Sequence, residues 1–190
     1  MILMFIGKTS SGKDFFYNRT IDKYNLEKIV LATTRPKRID EVDGENYFFM
    51  DKEKLDKLDF ENKLVERRDY NTVHGVWSYA TVGTNIDKDK NYLVINTWEG
   101  YEKYINYFGR CEVIPFYFEL DTNTRFERAY ERENKQKNKR YLEMCRRFMA
   151  DEEDFSNLWI EKYSPVIIDN NTTIENTDRQ IDKHIKRLIK

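Results

Sequence analysis

Gly7-Lys8-Thr9-Ser10-Ser11-Gly12-Lys13-Asp14 carries the spacing GxxxxGK, and its surroundings give that spacing a meaning. Before it, Ile2–Ile6 is an unbroken apolar run, the pattern of a strand covered on both faces. After it, Lys13 to Tyr24 reads as a helix and Lys28–Ala32 (KIVLA) as a second short strand. Strand, glycine loop, helix and strand form a βαβ unit with the loop at the carboxyl end of the first strand. Glycines let such a loop curl until its N–H groups converge on phosphate oxygens, and the helix N-terminus adds partial positive charge. Lys13 supplies a mobile cation for the β and γ phosphates. The bland alternative, a glycine turn that merely caps a helix, explains neither the buried strand nor Lys13. The residue after the lysine is normally Ser or Thr, whose hydroxyl ligates Mg²⁺; here it is Asp14. A carboxylate is also a hard oxygen donor, so Asp14 is a candidate metal ligand, directly or through water.

Downstream, the βα alternation is interrupted. Tyr47–Met50 reads as a short strand, and a helix starts near Asp51, an N-cap candidate. Lys63–Tyr70 and Val73–Val82 read as strands joined at Asn71-Thr72. Alternation then resumes with the strand Tyr92–Asn96, a helix from Glu99, the strand Glu112–Leu120 and a helix from Thr122. The polar run Arg132–Arg140 precedes a helix over Tyr141–Phe155, a strand at Val166–Ile168 and a last helix over Asp178–Lys190. The pattern predicts an α/β fold with a parallel-sheet core flanked by helices. Residues 1–32, 83–131 and 142–190 make the core, 33–82 an inserted mixed α/β lobe, and 132–141 a helical lid.

The 190 residues suffice for one sizeable core. The 33 basic and 34 acidic residues leave no basic excess of the kind that drives nucleic-acid binding. Ile2–Ile6 is too short for a signal peptide or a membrane span, so a cytoplasmic setting without membrane contact is expected. Cys111 and Cys145 form no CxxC pattern and read as two reduced, semi-buried thiols. The aromatics of Tyr101–Phe108 and Ile114–Phe118 read as core packing. Monomer and homodimer both fit the sequence.

A second motif is more specific than the first. Thr33-Thr34-Arg35-Pro36-Lys37-Arg38-Ile39-Asp40-Glu41-Val42-Asp43-Gly44-Glu45-Asn46-Tyr47-Phe48-Phe49 closely resembles the segment of guanylate kinases that follows the second strand. The resemblance implies that Arg35 and Arg38 grip the acceptor's phosphate, a task suited to guanidinium forks. Tyr47 and Tyr79 are implied to add phenolic contacts to the same phosphate. Glu66 is implied to accept from guanine's N–H groups, and the hydroxyl of Thr81, in Tyr79-Ala80-Thr81, to touch the base. Between Glu66 and Tyr79 the spacing exceeds the family's, so a small insertion around Tyr70–Gly75, with His74 as a turn residue, has to be accommodated. The family's DIDxQG segment corresponds to Ile95-Asn96-Thr97-Trp98-Glu99-Gly100, where the glycine aligns and neither aspartate does. Thr97 stands at the base-contacting position, and its hydroxyl cannot supply a charged acceptor.

For the lid, Arg132 and Arg147 match the arginines that reach the phosphates on closure, with Arg146 able to exchange roles with its neighbour. Arg125, and to a lesser degree Arg128, read instead as partners of Glu127, Glu131 and Glu133 on a solvated helix face. Asp151-Glu152-Glu153-Asp154 reads as a solvated helix end. The resemblance thus implies an ATP- and Mg²⁺-dependent nucleoside-monophosphate kinase converting GMP or dGMP to the diphosphate. Its ATP loop is Gly7 to Asp14, its catalytic residues Lys13, Arg132 and Arg147, and its partners small-molecule nucleotides. Two rivals fit the same motifs: a kinase of this fold acting on another (deoxy)nucleotide, and a non-catalytic module of this fold that binds a partner such as a phosphopeptide.

Overall fold

The computed structural model describes residues 1–37, 41–72, 75–137, 139 and 141–189. Strand β1 (Ile2–Ile6) is buried at every position. Its side chains alternate into two separate cores, as a strand covered on both faces requires. Ile2, Met4 and Ile6 pack with Trp98, Tyr101, Tyr104 and Tyr117, while Leu3 and Phe5 pack with Phe16, Phe116, Phe118, Ile181 and Ile185. Around β1 the parallel sheet runs β2-β7-β1-β8-β9, with β2 Glu27–Lys28, β7 Tyr92–Ile95, β8 Val113–Glu119 and β9 Val166–Asp169. Helices α1 (Lys13–Tyr24) and α7 (Ile174–Leu188) contribute to one core, and α3 (Trp98–Phe108) and α6 (Asn157–Tyr163) to the other. Most aromatics of α3 and β8 are core residues, as their sequence predicts, but Tyr107 is exposed.

A second sheet, β4-β3-β6-β5, contains β3 (Ala32–Thr33), β4 (Phe48–Phe49), β5 (Leu64–Thr72) and β6 (Gly75–Val82). The expected strand over Lys28–Ala32 therefore divides. Its first residue, Lys28, ends β2 in the core sheet, and Ala32 opens the other sheet, because the chain changes layers in between. Helix α2 (Lys52–Phe60) is capped by the Asp51 carboxylate, which accepts from Lys54 N at 2.7 Å.

The hairpin is longer than expected. Thr72 pairs with Gly75 and Asn71 with Val76, so the extra residues between Glu66 and Tyr79 lengthen two paired strands. Asn71 and Thr72 are strand, not turn, and His74 lies outside the described residues. The remaining helices are α4 (Thr122–Asn134) and α5 (Tyr141–Asp154). Helix α6 was not expected from the sequence. Helix α7 starts earlier than its apolar pattern suggests, because Thr173 caps it by accepting from Asn176 N. Both cysteines are free and exposed, against the semi-buried expectation. Among the described residues no helix is long and apolar enough to cross a membrane.

Candidate active site

Between the two sheets lies a cleft of about 920 Å³. Gly7, Thr9 and Lys13 line one part of it, and Tyr47, Glu66 and Tyr79 another. One open space thus joins the glycine loop to the inserted sheet.

The glycine loop is held in a shape that few side chains tolerate. Ser10 (φ 61°) and Gly12 (φ 88°) both sit in the left-handed region. A Cβ on Gly12 would stand 2.6 Å from the Asn170 amide, which donates to Ser11 O at 2.7 Å. The buried hydroxyls of Ser10 and Ser11 have no hydrogen-bond partner among the described residues, the arrangement expected of groups that wait for a polar ligand. Lys13 donates to Lys8 O at 3.2 Å. Burial lowers its pKa; Asp14 and Asp151 oppose that, while Arg132 and Arg125 reinforce it. Arg132 is thus near enough to act on Lys13, although its own side chain is exposed on α4.

Beneath the loop is a brace that the sequence did not advertise. Asp151, on α5, accepts from Thr9 N at 2.7 Å and Thr9 Oγ1 at 3.2 Å. Arg125 is 1% exposed and donates to Asp151 at 3.3 Å and Glu152 at 3.4 Å. Lys8 Nζ reaches both Glu152 oxygens at 2.8 Å. Neither the solvated-face reading of Arg125 nor the solvated-end reading of Asp151 survives, since both are buried against the loop. Arg128 also sits there, its Nη1 3.5 Å from the Cβ position of Gly12. Helical spacing shows which residues share a face but not what packs on that face, so the two readings could not be separated in sequence.

In the inserted sheet, alternation along β5 turns Glu66, Arg68 and Tyr70 to the cleft and Arg67 to the other side, where it meets Asp56 and Asp59. A register shift between Leu64 and Glu66 makes this possible. It lets Leu64 pack beside Leu55, Ala80 and Val82 while Glu66, two residues on, faces the cleft. The Glu66 carboxylate accepts from Arg68 Nη2 at 2.8 Å, Asn96 Nδ2 at 3.2 Å and Thr81 Oγ1 at 3.4 Å. Asn96 also accepts from Arg68 Nη2 at 2.7 Å. Gly100 leaves room for it, since a Cβ there would stand 2.1 Å from Asn96 Oδ1.

Arg35 is buried. It donates to Glu41 at 2.5 Å and Pro36 O at 2.9 Å, and it lies over the Tyr47 and Phe49 rings at 5.4 and 5.8 Å. Hydrogen bonding to Glu41, and then to Tyr79, raises its pKa against the cost of burial. The Tyr47 and Tyr79 rings meet at 5.7 Å.

A guanylate kinase family model matches residues 1–188. The chain belongs to the guanylate kinase family. It is 26% identical over 197 aligned positions to a guanylate kinase of Wigglesworthia glossinidia brevipalpis, covering 97% of this chain and 92% of that one. Over 103 residues it is 32% identical to the guanylate kinase of Mycoplasmoides gallisepticum, a match spanning about half of each, 53% and 52%. The crystal structure of guanylate kinase from Anaplasma phagocytophilum superposes with a TM-score of 0.57 at 20% identity, over all of this chain and 87% of that one, and so shares the fold.

Against that family pattern, several expected residues sit differently. Thr81 is fully buried beneath Glu66, with its hydroxyl shared between Glu66 and Tyr104 (3.1 Å), and so supports the carboxylate rather than facing the cleft. Thr97 lines the cleft, but its oxygen caps α3 by accepting from Gly100 N at 3.3 Å. Asp14 is exposed at the first turn of α1, and Arg147 is exposed on α5. Arg38 lies outside the described residues. Arg68 and Asn96 are among the polar cleft residues the sequence reading missed. Period-two alternation through Glu66-Arg67-Arg68-Asp69-Tyr70 was the signal that could have found Arg68. Nothing local could have found Asn96, whose role depends on contact with another sheet.

Among the described residues no group of three or more His, Cys, Asp or Glu could cage a metal ion. The fit to Mg²⁺ is of another kind. A phosphate loop needs only one hard oxygen donor beside the phosphates, and the exposed Asp14 carboxylate next to Lys13 meets that chemistry.

Proposed function

We propose that the protein transfers the γ-phosphate of ATP to GMP or dGMP, yielding ADP and the nucleoside diphosphate. The single observation that carries this reading is the one cleft lined both by Gly7, Thr9 and Lys13 and by Tyr47, Glu66 and Tyr79. That juxtaposition suits a donor and an acceptor bound in line, which is most of what phosphoryl transfer asks of a protein. N–H groups of the loop from Gly7 to Asp14, other than that of Thr9, which Asp151 holds, and that of Ser11, which Lys8 O accepts, bind the donor's phosphates, with the Ser10 and Ser11 hydroxyls as further donors. Lys13 carries positive charge to the transferring group. Arg35 exchanges Glu41 for the acceptor phosphate, with Arg38, Tyr47 and Tyr79 completing the grip, and Glu66 receives guanine's N–H groups.

An oxygen of the acceptor phosphate forms the new bond to the γ phosphorus as the bridging bond to ADP breaks. The acceptor is already an anion, so no strong general base is required. Asp14 would hold Mg²⁺, which when bound neutralises charge on the donor's phosphates. Residues 33–82 serve as the acceptor lobe, and residues 132–141 as a lid that carries Arg132 and, with α5, Arg147 toward the phosphates. The cytoplasm supplies both nucleotides. Steady-state ADP production with each common NMP and dNMP tests the reading. Turnover confined to GMP and dGMP is expected. Turnover of another nucleotide overturns the substrate, and none with a folded protein overturns the reaction.

A further inference from the structure

The base-reading end of the cleft contains a charge that the family pattern does not explain. Arg68 projects from β5 beside Glu66, directly across the ladder from Tyr79, and lines the cleft. Its Nη2 is anchored twice, on Glu66 at 2.8 Å and on Asn96 at 2.7 Å. Burial works against its charge, and Glu66 and Tyr70 outweigh that, so its pKa is raised. A guanidinium carries five donors in a planar fork. Glu66, Asn96 and Tyr70 fix the plane of that fork, and because both Nη2 hydrogens are engaged, a ligand is met by the Nη1–Nη2 edge only when it takes the place of Asn96 as acceptor.

From this arrangement we infer that Arg68 is a second base-reading residue, donating to the O6 and N7 of guanine while Glu66 accepts from N1–H and the 2-amino group. The inference rests on the proposed GMP kinase reading and extends it. Guanine is the base whose acceptors O6 and N7 lie side by side and match a guanidinium fork. Adenine sets an amino group where guanine has O6, so Arg68 would oppose donor to donor. Thymine and uracil have no N7. The guanidinium also gives a reason why this site lacks the family's aspartate at the Thr97 position. One carboxylate beside one guanidinium covers both edges of the base, and a second carboxylate would compete for the same fork.

The alternative is that Arg68 only positions Glu66. The two roles separate when one ligand atom is removed. Wild type, Arg68→Ala and Arg68→Lys are compared on GMP and on 7-deazaguanosine monophosphate, which lacks N7, by ADP production and by calorimetric binding. Melting curves confirm that each variant is folded. Wild type should lose roughly tenfold in kcat/KM on the deaza nucleotide. Arg68→Ala should lose roughly ten- to a hundredfold on GMP and no more on the analogue, and its preference for GMP over AMP should narrow. Arg68→Lys should fail to restore the loss, since an ammonium has no fork. Equal turnover of both nucleotides by wild type overturns the inference. So does an equal loss on both nucleotides in Arg68→Ala with rescue by lysine, the result of a positioning role. A wild-type protein that phosphorylates no GMP overturns the underlying reading, and that result is distinct from either.

Discussion

At the loop end of the cleft the lining comes from one contiguous stretch, Gly7, Thr9 and Lys13, and side chains from elsewhere, Asp151 and Asn170, hold its backbone in place. At the opposite end the cleft is lined by side chains gathered from separate stretches of the chain, β5, β6 and the residues that follow β7. The first end depends on conformations such as Gly12 at φ 88° and on the buried brace beneath it. The second depends on a register shift before Glu66 and on a glycine in α3 that admits Asn96. A backbone site tolerates many side chains but few backbone changes. A side-chain site is the reverse, so it is where substrate choice can drift while the reaction is kept.

The contrast can be broken at four points. Arg125→Ala should have the largest effect on stability. It leaves Asp151 buried without its ionic partner, costing about 3 kcal/mol of stability, or roughly 6–12 °C in Tm at this chain length. Calorimetric melting checks it, and an unchanged Tm would mean the brace is incidental. Next, Lys13→Ala should lower kcat on the order of a hundred- to a thousandfold with the fold intact. Its pH behaviour has a definite sign. Burial lowers the Lys13 pKa, so between its folded value and the ordinary 10.5 the unfolded chain binds more protons. Stability of the free protein should therefore rise with pH through that window, and Lys13→Ala should flatten the rise in a pH series of melts.

At the base end, Glu66→Gln should cost about ten- to a hundredfold in kcat/KM for GMP and leave ATP binding, followed by titration, unchanged. The smallest effect belongs to Thr97→Ala, which removes a helix cap worth about 1 kcal/mol. Discrimination of GMP from AMP should stay within about twofold, as for a cap that does not read the base. A larger change would return Thr97 to the role that the family resemblance implies.

The same contrast explains what could be read in the sequence. Strand β1, the glycine loop and α1 were legible because their signals are contiguous: an apolar run, two glycines and a lysine. The parallel core sheet was expected from the βαβ pattern but its order was not, since β7 lies between β2 and β1. The split of Lys28–Ala32 between two sheets was not legible, since the apolar run Ile29–Ala32 continues across the change of layer and only tertiary contacts mark it. Arg125 and Asp151 looked like surface residues because they lie on polar helices, and their burial comes from the loop packed on top of them. Arg35, Tyr47, Tyr79 and Glu66 were found through a resemblance. Asn96 emerged only when the end of β7 in one sheet was seen across the cleft from β5 in the other, where it meets Glu66 and Arg68.

One further consequence follows from where the chain leaves the core sheet and where it returns. Glu27 N donates to Asn91 O at 2.9 Å, and Lys28 pairs with Leu93. The excursion that builds the second sheet thus starts and finishes at neighbouring points on one edge. To the core, the whole insert is a loop whose ends are already closed, and the entropic cost of such a loop grows only slowly with its length. Lobes of quite different size and specificity can therefore be exchanged at this edge without rebuilding the ATP-side machinery. One phosphoryl-transfer engine could in this way come to serve many acceptors over evolutionary time, and the boundary near residues 28 and 91 is where a designed transplant would be cut.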